Sequence, residues 1–160
     1  MFTDINMRVS VAQDISAIVS TIVSTDSIDL NPDAGIGNNQ PPDIGSGMKI
    51  RAAFTITEAV VGTVSTVQFQ IITDSTADLA TTPLVLGTSL AIPEANLTLG
   101  TNIFVEMNYD VGDVQGVVQR FLGAQYVIAV ATTTLGTVTT NFVIDPQDGQ
   151  RFYRSGFTVA

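Results

Sequence analysis

The residues able to act as acid, base or ligand are carboxylates: Glu58, Glu94 and Glu106 in mid-chain, and Asp26, Asp29, Asp33 and Asp43 nearer the start. Two of the three glutamates could flank a glycosidic bond, one as acid and the other as base or nucleophile. Their spacing gives no reason for any two to converge, so solvated surface charge is the better reading. The aspartates offer oxygens to calcium but lack the alternate-position spacing and closing Glu of an EF-hand loop. Asp beside Pro32 and Gly35 serves turns through its own backbone hydrogen bonds, and Asp148-Gly149 reads as a turn too. His and Cys are both absent, which removes the commonest general base, the strongest nucleophile and the thiolate zinc ligand. The expectation is a protein without catalytic residues, metal or cofactor, and so not an enzyme.

The glycines form no phosphate-cradling pattern between a strand and a helix. Arg151 and Arg154 flank Phe152 and Tyr153, a grouping able to stack on bases, but pairing with nearby carboxylates is the plainer role in a chain of net charge −9. The other basic residues are Arg8, Lys49, Arg51 and Arg120, and between Arg51 and Arg120 stand only acids: Glu58, Asp74, Asp78, Glu94, Glu106, Asp110 and Asp113. A surface of that sign repels phosphate and anionic headgroups, so neither nucleic acid nor membrane is an expected partner. No run of 18 apolar residues occurs, and residues 1–14 lack the basic and apolar stretches of a signal peptide, which predicts a soluble, unexported protein.

Whatever these residues do, strands must position them. Residues 65–74 alternate Val67, Phe69 and Ile71 against Thr66, Gln68 and Gln70, a period of two that fits a strand with one buried face. From residue 48 onward, Ile50, Ala52, Phe54 and Ile56 alternate in the same way. Further strands are predicted over 84–91, 102–109, 121–131, 137–144 and 156–159, separated by Gly, Pro, Asn and Asp. About eight short strands without a convincing helix predict an all-β fold, an antiparallel two-sheet sandwich. A jelly roll is the first choice and an immunoglobulin-type Greek key the second, the latter weakened by the lack of Trp and Cys.

Residues 1–26 read as a segment apart. Ile15, Ile18, Val19 and Ile22 have the spacing of a helical stripe, but the many Ser, Thr and β-branched neighbours favour an extended arm. Residues 27–160 are then the sandwich domain, entered by a turn and short strand over 24–30. Residues 31–48, rich in Pro, Gly and Asn, form a long loop that is either a binding element or a solvated excursion.

The order of several short motifs resembles the jelly-roll capsid cement, or decoration, proteins of tailed bacteriophages. They are Ser24-Thr25-Asp26-Ser27-Ile28-Asp29-Leu30, Asp43-Ile44-Gly45-Ser46-Gly47, Thr66-Val67-Gln68-Phe69-Gln70-Ile71 with Thr73-Asp74, Leu99-Gly100-Thr101, Arg120-Phe121-Leu122-Gly123 with Tyr126-Val127, and Gly156-Phe157-Thr158-Val159. The longer insert over 31–42 departs from the tighter turn of that family. The resemblance implies a structural virion protein, made in the host cytoplasm, that binds the outer face of a shell of HK97-like major capsid protein and bridges capsomers. Self-association as a homodimer or homotrimer is expected with it. Interface residues expected on this basis are Arg8, Val9, Val11, Ile15, Ile18 and Ile22 of the arm, together with Asp43, Arg120 and Arg154. The competing class is a carbohydrate- or receptor-binding sandwich of a phage fibre or spike.

Overall fold

Alternation along the chain decides which side chains meet. The computed structural model describes residues 7–30, 50–108 and 119–143. In it Val67, Phe69 and Ile71 of strand β5 (Thr66–Asp74) are buried, whereas Gln68 and Gln70 are partly exposed. Strand β4 (Arg51–Gly62) likewise turns Ala52, Phe54 and Ile56 inward. The remaining strands are β1 (Arg8–Asp14), β2 (Ser20–Val23), β3 (Ile28–Asp29), β6 (Leu84–Thr88), β7 (Ile92–Pro93), β8 (Asn102–Glu106), β9 (Phe121–Ala129) and β10 (Thr133–Val143). A short 3-10 turn at Glu94–Asn96 lies between β7 and β8.

One sheet runs β1-β10-β4-β8 and the other β2-β9-β5-β6, with β3 added on β9 and β7 on β5, and every pairing is antiparallel. With the two-residue strands β3 and β7 set aside, the eight that remain follow the order 1-8-3-6 in one sheet and 2-7-4-5 in the other. That is a jelly roll. The expected second choice, an immunoglobulin-type arrangement, does not have this order.

Between the sheets lies one apolar core, to which Phe54 of β4, Phe69 of β5 and Tyr126 of β9 contribute a cluster of rings. The Phe54 and Phe69 centroids stand 5.1 Å apart, and Tyr126 meets both edge-on at 6.0 and 6.1 Å. These offset and edge-to-face geometries are the favoured ones for aromatic pairs. The Tyr126 hydroxyl then crosses to the opposite sheet, where it bonds Ser10 Oγ of β1 at 2.8 Å and Thr140 Oγ1 of β10 at 2.7 Å. Burial pushes the phenol pKa up to about 12 even though both hydroxyl partners pull it down, so the ring carries its proton throughout the ordinary pH range.

Backbone contacts close the sandwich along both sides. On one, Asp26 N–H donates to the Val9 carbonyl at 2.9 Å, and Gln13 Nε2 donates to the Val23 carbonyl at 2.7 Å. On the other, Asn108 N–H donates to the Leu86 carbonyl at 2.9 Å. There Gly87 lies so close to the Glu106 carbonyl that a Cβ would collide with backbone, and β6 and β8 could not approach with any other residue.

The segment over 1–26 is extended rather than helical where it is described, but it does not stand apart from the domain. Strand β1 pairs with β10 and β2 with β9, one in each sheet, and Val9 and Ile15 are fully buried in the core. The boundary expected at residue 26 is therefore not a domain boundary. Composition signals an extended segment correctly, whereas its pairing partners lie more than a hundred positions along the chain and leave no local trace. Strand β9 stops at Ala129, sooner than expected, and β10 starts at Thr133, four residues ahead of 137. The strand expected over 156–159 and the loop over 31–48 fall outside the described residues.

Replacing Phe69 with Ala should cost about 3 to 5 kcal/mol in denaturant unfolding, because the side chain is fully buried among two other rings. Deleting residues 1–24 should abolish cooperative unfolding altogether, since it strips one strand from each sheet and uncovers the hydroxyl pair of Tyr126 and Thr140. Circular dichroism with a thermal melt checks the latter, and a truncated protein melting like the full chain would contradict it.

Candidate interaction surface

The residues expected at an interface are scattered by the fold. Val9 and Ile15 point into the core, and Ile22 packs partly against it. These three are corrected from interface to core residues: the register shift between Arg8 and Ser10 lets Val9 and Ser10 both turn inward, so that Val11, which a regular pleat would place on the Val9 face, is instead 57% exposed. Ile18, in the connection between β1 and β2, is 77% exposed. Arg8 is partly buried. Arg120 grips Asp29 through two bonds, Nε to Oδ1 at 2.9 Å and Nη2 to Oδ2 at 2.7 Å, and its guanidinium carbon lies 5.0 Å from the Phe121 ring centroid. The hydrogen bonds that Arg120 donates to Asp29, with the charge of that carboxylate, raise the Arg120 pKa further despite partial desolvation. Asp43 and Arg154 lie outside the described residues.

The carboxylates weighed for chemistry are likewise occupied separately. Glu106 pairs with Arg51 at 3.1 Å across β8 and β4. Glu94 accepts from the Val64 N–H at 2.8 Å and from the Ser65 hydroxyl, which holds the hairpin between β4 and β5; the Ser65 bond leads in keeping its pKa below the usual carboxylate range. Among the described residues no three of Asp, Glu, His or Cys are grouped to hold a metal ion.

What the fold does assemble is an apolar end. The connections β1 to β2, β4 to β5, β6 to β8 and β9 to β10 all emerge on the same side, as the jelly-roll order requires. They are tied to one another: Thr133 N–H donates to the Ala17 carbonyl at 3.0 Å, and Glu94 N–H to the Ser65 carbonyl at 3.1 Å. Ile18 and Val19 project from the first connection, Val64 from the second and Val130 from the last, with Val61 and Leu135 directly paired on the adjoining strands. All six are large, apolar and largely exposed. Of the described basic residues, Arg8, Arg51 and Arg120 sit at the start of β1, the start of β4 and just before β9, which places all three toward the opposite end.

Two members of the apolar end hold a backbone that suits neither. Val64 has φ 60° and Val130 φ 74°, the left-handed region that β-branched residues avoid at a cost of roughly 1 to 2 kcal/mol. Ala131 N–H returns to the Ala129 carbonyl at 3.0 Å, so Val130 is the centre of a tight γ-turn of the rare, strained kind. Sequence reasoning missed Val130 by reading residues 121–131 as strand, and did not single out Val64. The available signal was a valine at a hairpin tip where Gly or Asn is the usual choice.

At the opposite end, the fully buried Asp74 organises the connection from β5 to β6. Its Oδ2 accepts from Thr81 N–H and Thr82 N–H, both at 3.0 Å, and its Oδ1 accepts from Thr76 N–H at 3.2 Å. Burial alone would raise the carboxyl pKa, but the backbone N–H groups of Thr82, Thr76 and Ser75 and the Ser75 hydroxyl outweigh it and hold the group below its ordinary value.

A protein-family model described as Bbp16 matches residues 9–144. The chain belongs to the Bbp16 family. The match begins within β1 and runs past the end of β10, so the Bbp16 unit takes in the whole sandwich and includes the segment that composition alone set apart as an arm. Both ends described above, the apolar one and the one built on Asp74, lie inside the Bbp16 match. No curated protein matches the chain.

Because the Asp74 carboxyl is depressed in the folded chain, its stabilising effect is complete above the unfolded value of about 3.9 and is lost as pH falls through the lower folded one. Asp74→Asn places an NH2 or an uncharged oxygen against the Thr81 and Thr82 donors. It should cost about 1.5 to 3 kcal/mol at neutral pH, and a smaller margin should separate variant from parent in acid. Urea unfolding at pH 7 and pH 3 checks both parts.

Proposed function

We propose that the protein is a structural virion component, a cement protein that binds the outer surface of a shell of HK97-like major capsid protein and bridges neighbouring capsomers. The observation that carries this reading is the strand order, because a jelly roll is the fold that the resemblance to phage cement proteins implies. Of the motifs that carry the resemblance, those in described residues fall on β3, β5, the turn before β8 and β9, while 43–47 and 156–159 lie outside the described residues. Fold alone does not fix function, and the motif order is what directs this jelly roll to a capsid.

The surface suits the role. A net charge of −9 favours docking on positive patches of a shell, and a place outside the shell keeps that charge away from packaged DNA. Arg8, Val11, Ile18 and Arg120 remain as surface contributors to the shell contact, and Val9, Ile15 and Ile22 contribute by fixing β1 and β2 instead. Self-association into a dimer or trimer belongs to the same reading, while nucleic acid and membrane do not.

Shells assembled from the major capsid protein of the same genome, without this chain, provide the test. The protein should co-sediment with them to saturation and raise their resistance to heat and osmotic shock. Retention on a glycan array with no retention on shells would replace this reading with a receptor-binding sandwich.

A further inference from the structure

We propose that the apolar end is the docking site of this chain's own segment after β10, with Arg151-Phe152-Tyr153-Arg154 laid over it. The inference goes beyond the capsid reading and does not rest on it.

The end combines two features that call for an occupant of mixed chemistry. Its side chains are apolar: Val64 and Val130 are 75% and 71% exposed on left-handed backbones, and Val61 pairs with Leu135 beside them. Exposed apolar surface gathered in this way marks a contact, and strain held at its tips is repaid only where those side chains are covered. The charge beside it is negative. Asp14 of β1 and Glu58 of β4 are both exposed and both stand opposite Thr137, one on each side of β10, close to the Leu135–Val61 pair. Neighbouring strands lie about 4.8 Å apart, so these two carboxylates sit in one row about 10 Å from each other. Glu94 adds a third charge, held against Val64 N–H at 2.8 Å. None of the three has an ion pair among the described residues. A surface at once apolar and anionic attracts a segment that is apolar and basic.

The chain's own cations identify that segment. Of its six basic residues, Arg8, Arg51 and Arg120 stand toward the opposite end, and Lys49 is joined to Ile50 beside Arg51. Arg151 and Arg154 are the two that the sheets do not hold away from Asp14 and Glu58, and between them stand Phe152 and Tyr153 to meet the apolar side chains. Drawn out, the stretch from Arg151 to Arg154 spans about 10 Å, the separation of the two carboxylates. The tether is long enough. From Thr137 to Val143 strand β10 covers about 20 Å, whereas the extended chain from Val143 to Arg151 reaches about 26 Å. A segment tethered so near its site acts at a millimolar effective concentration, which favours it over any separate molecule of the same chemistry.

The sequence contains no Cys, so a nitroxide on Ser155→Cys marks this segment alone, and paramagnetic broadening of backbone amide signals reports where it lies. Isotope-labelled chain carrying the nitroxide, diluted into an excess of unlabelled chain, restricts the readout to contacts within one molecule. Signals of Val64, Val130 and Leu135 should broaden, and those of Arg51 and Arg120 should not. Arg151→Glu with Arg154→Glu should restore the lost signals while the cooperative melt is retained, and adding Asp14→Arg with Glu58→Arg should bring the broadening back. Broadening that persists at full strength in the double Glu variant would overturn the proposal. Its absence from the end in the parent would do so as well, as when Arg151 and Arg154 pair with Asp145 and Asp148 of their own segment. Broadening found only when nitroxide and isotope are on different chains would hand the end to another copy and overturn the proposal too. Shell binding plays no part in this readout, so each of the two readings can fail without the other.

Discussion

The buried hydroxyl of Tyr126 is the constraint on which the arrangement of the two sheets depends. A phenol brought into an apolar core must find partners, because an unmet hydroxyl there costs on the order of 1 to 3 kcal/mol. Tyr126 finds Ser10 and Thr140 in the other sheet, and Ser10 passes the chain on to Gln13 Oε1 at 2.7 Å. Gln13 also accepts from Thr25 N–H at 3.1 Å and donates to the Val23 carbonyl. One polar path thus joins β9, β10 and β1 to the strand that follows. Sliding β1 by one residue would turn Ser10 outward and Val11 inward, breaking the path and burying the wrong face.

Sealing by this path on one side and by the Gly87 approach on the other leaves the molecule with two kinds of surface. The sides are closed by main-chain bonds, and edge strand β1 is further interrupted by register shifts and by Ala12 at φ 43°. Such irregular edges are poor templates for an added strand. The ends differ in chemistry: one gathers exposed valine, isoleucine and leucine, and the other carries Asp74 inside and the Arg120–Asp29 and Arg51–Glu106 pairs outside.

That difference separates strain from stability. The buried Asp74 carboxylate is satisfied by backbone donors of the connection that follows it, so that connection is held from within. Val64 and Val130 do the reverse, since both occupy an unfavourable backbone region with their side chains in solvent.

The sequence by itself determined the class of fold and the faces of its strands. Alternation placed Phe54, Phe69 and Ile71 inward before any partner was known, because the pleat sends successive side chains to opposite sides whatever lies beside the strand. It also determined the net charge and the absence of His and Cys, and with them the chemistries for which the chain has no residues. Only the tertiary structure decided where residues 8–23 belong, since a strand's pairing is a contact between distant positions and β1 reads alike as a free arm or as a neighbour of β10. It decided too that Val9 and Ile15 are core while Ile18 is surface, and that four separate connections meet as one apolar end. Local composition records what each residue prefers, whereas convergence of Ile18, Val64 and Val130 follows from the jelly-roll path, which is fixed by the packing of whole sheets.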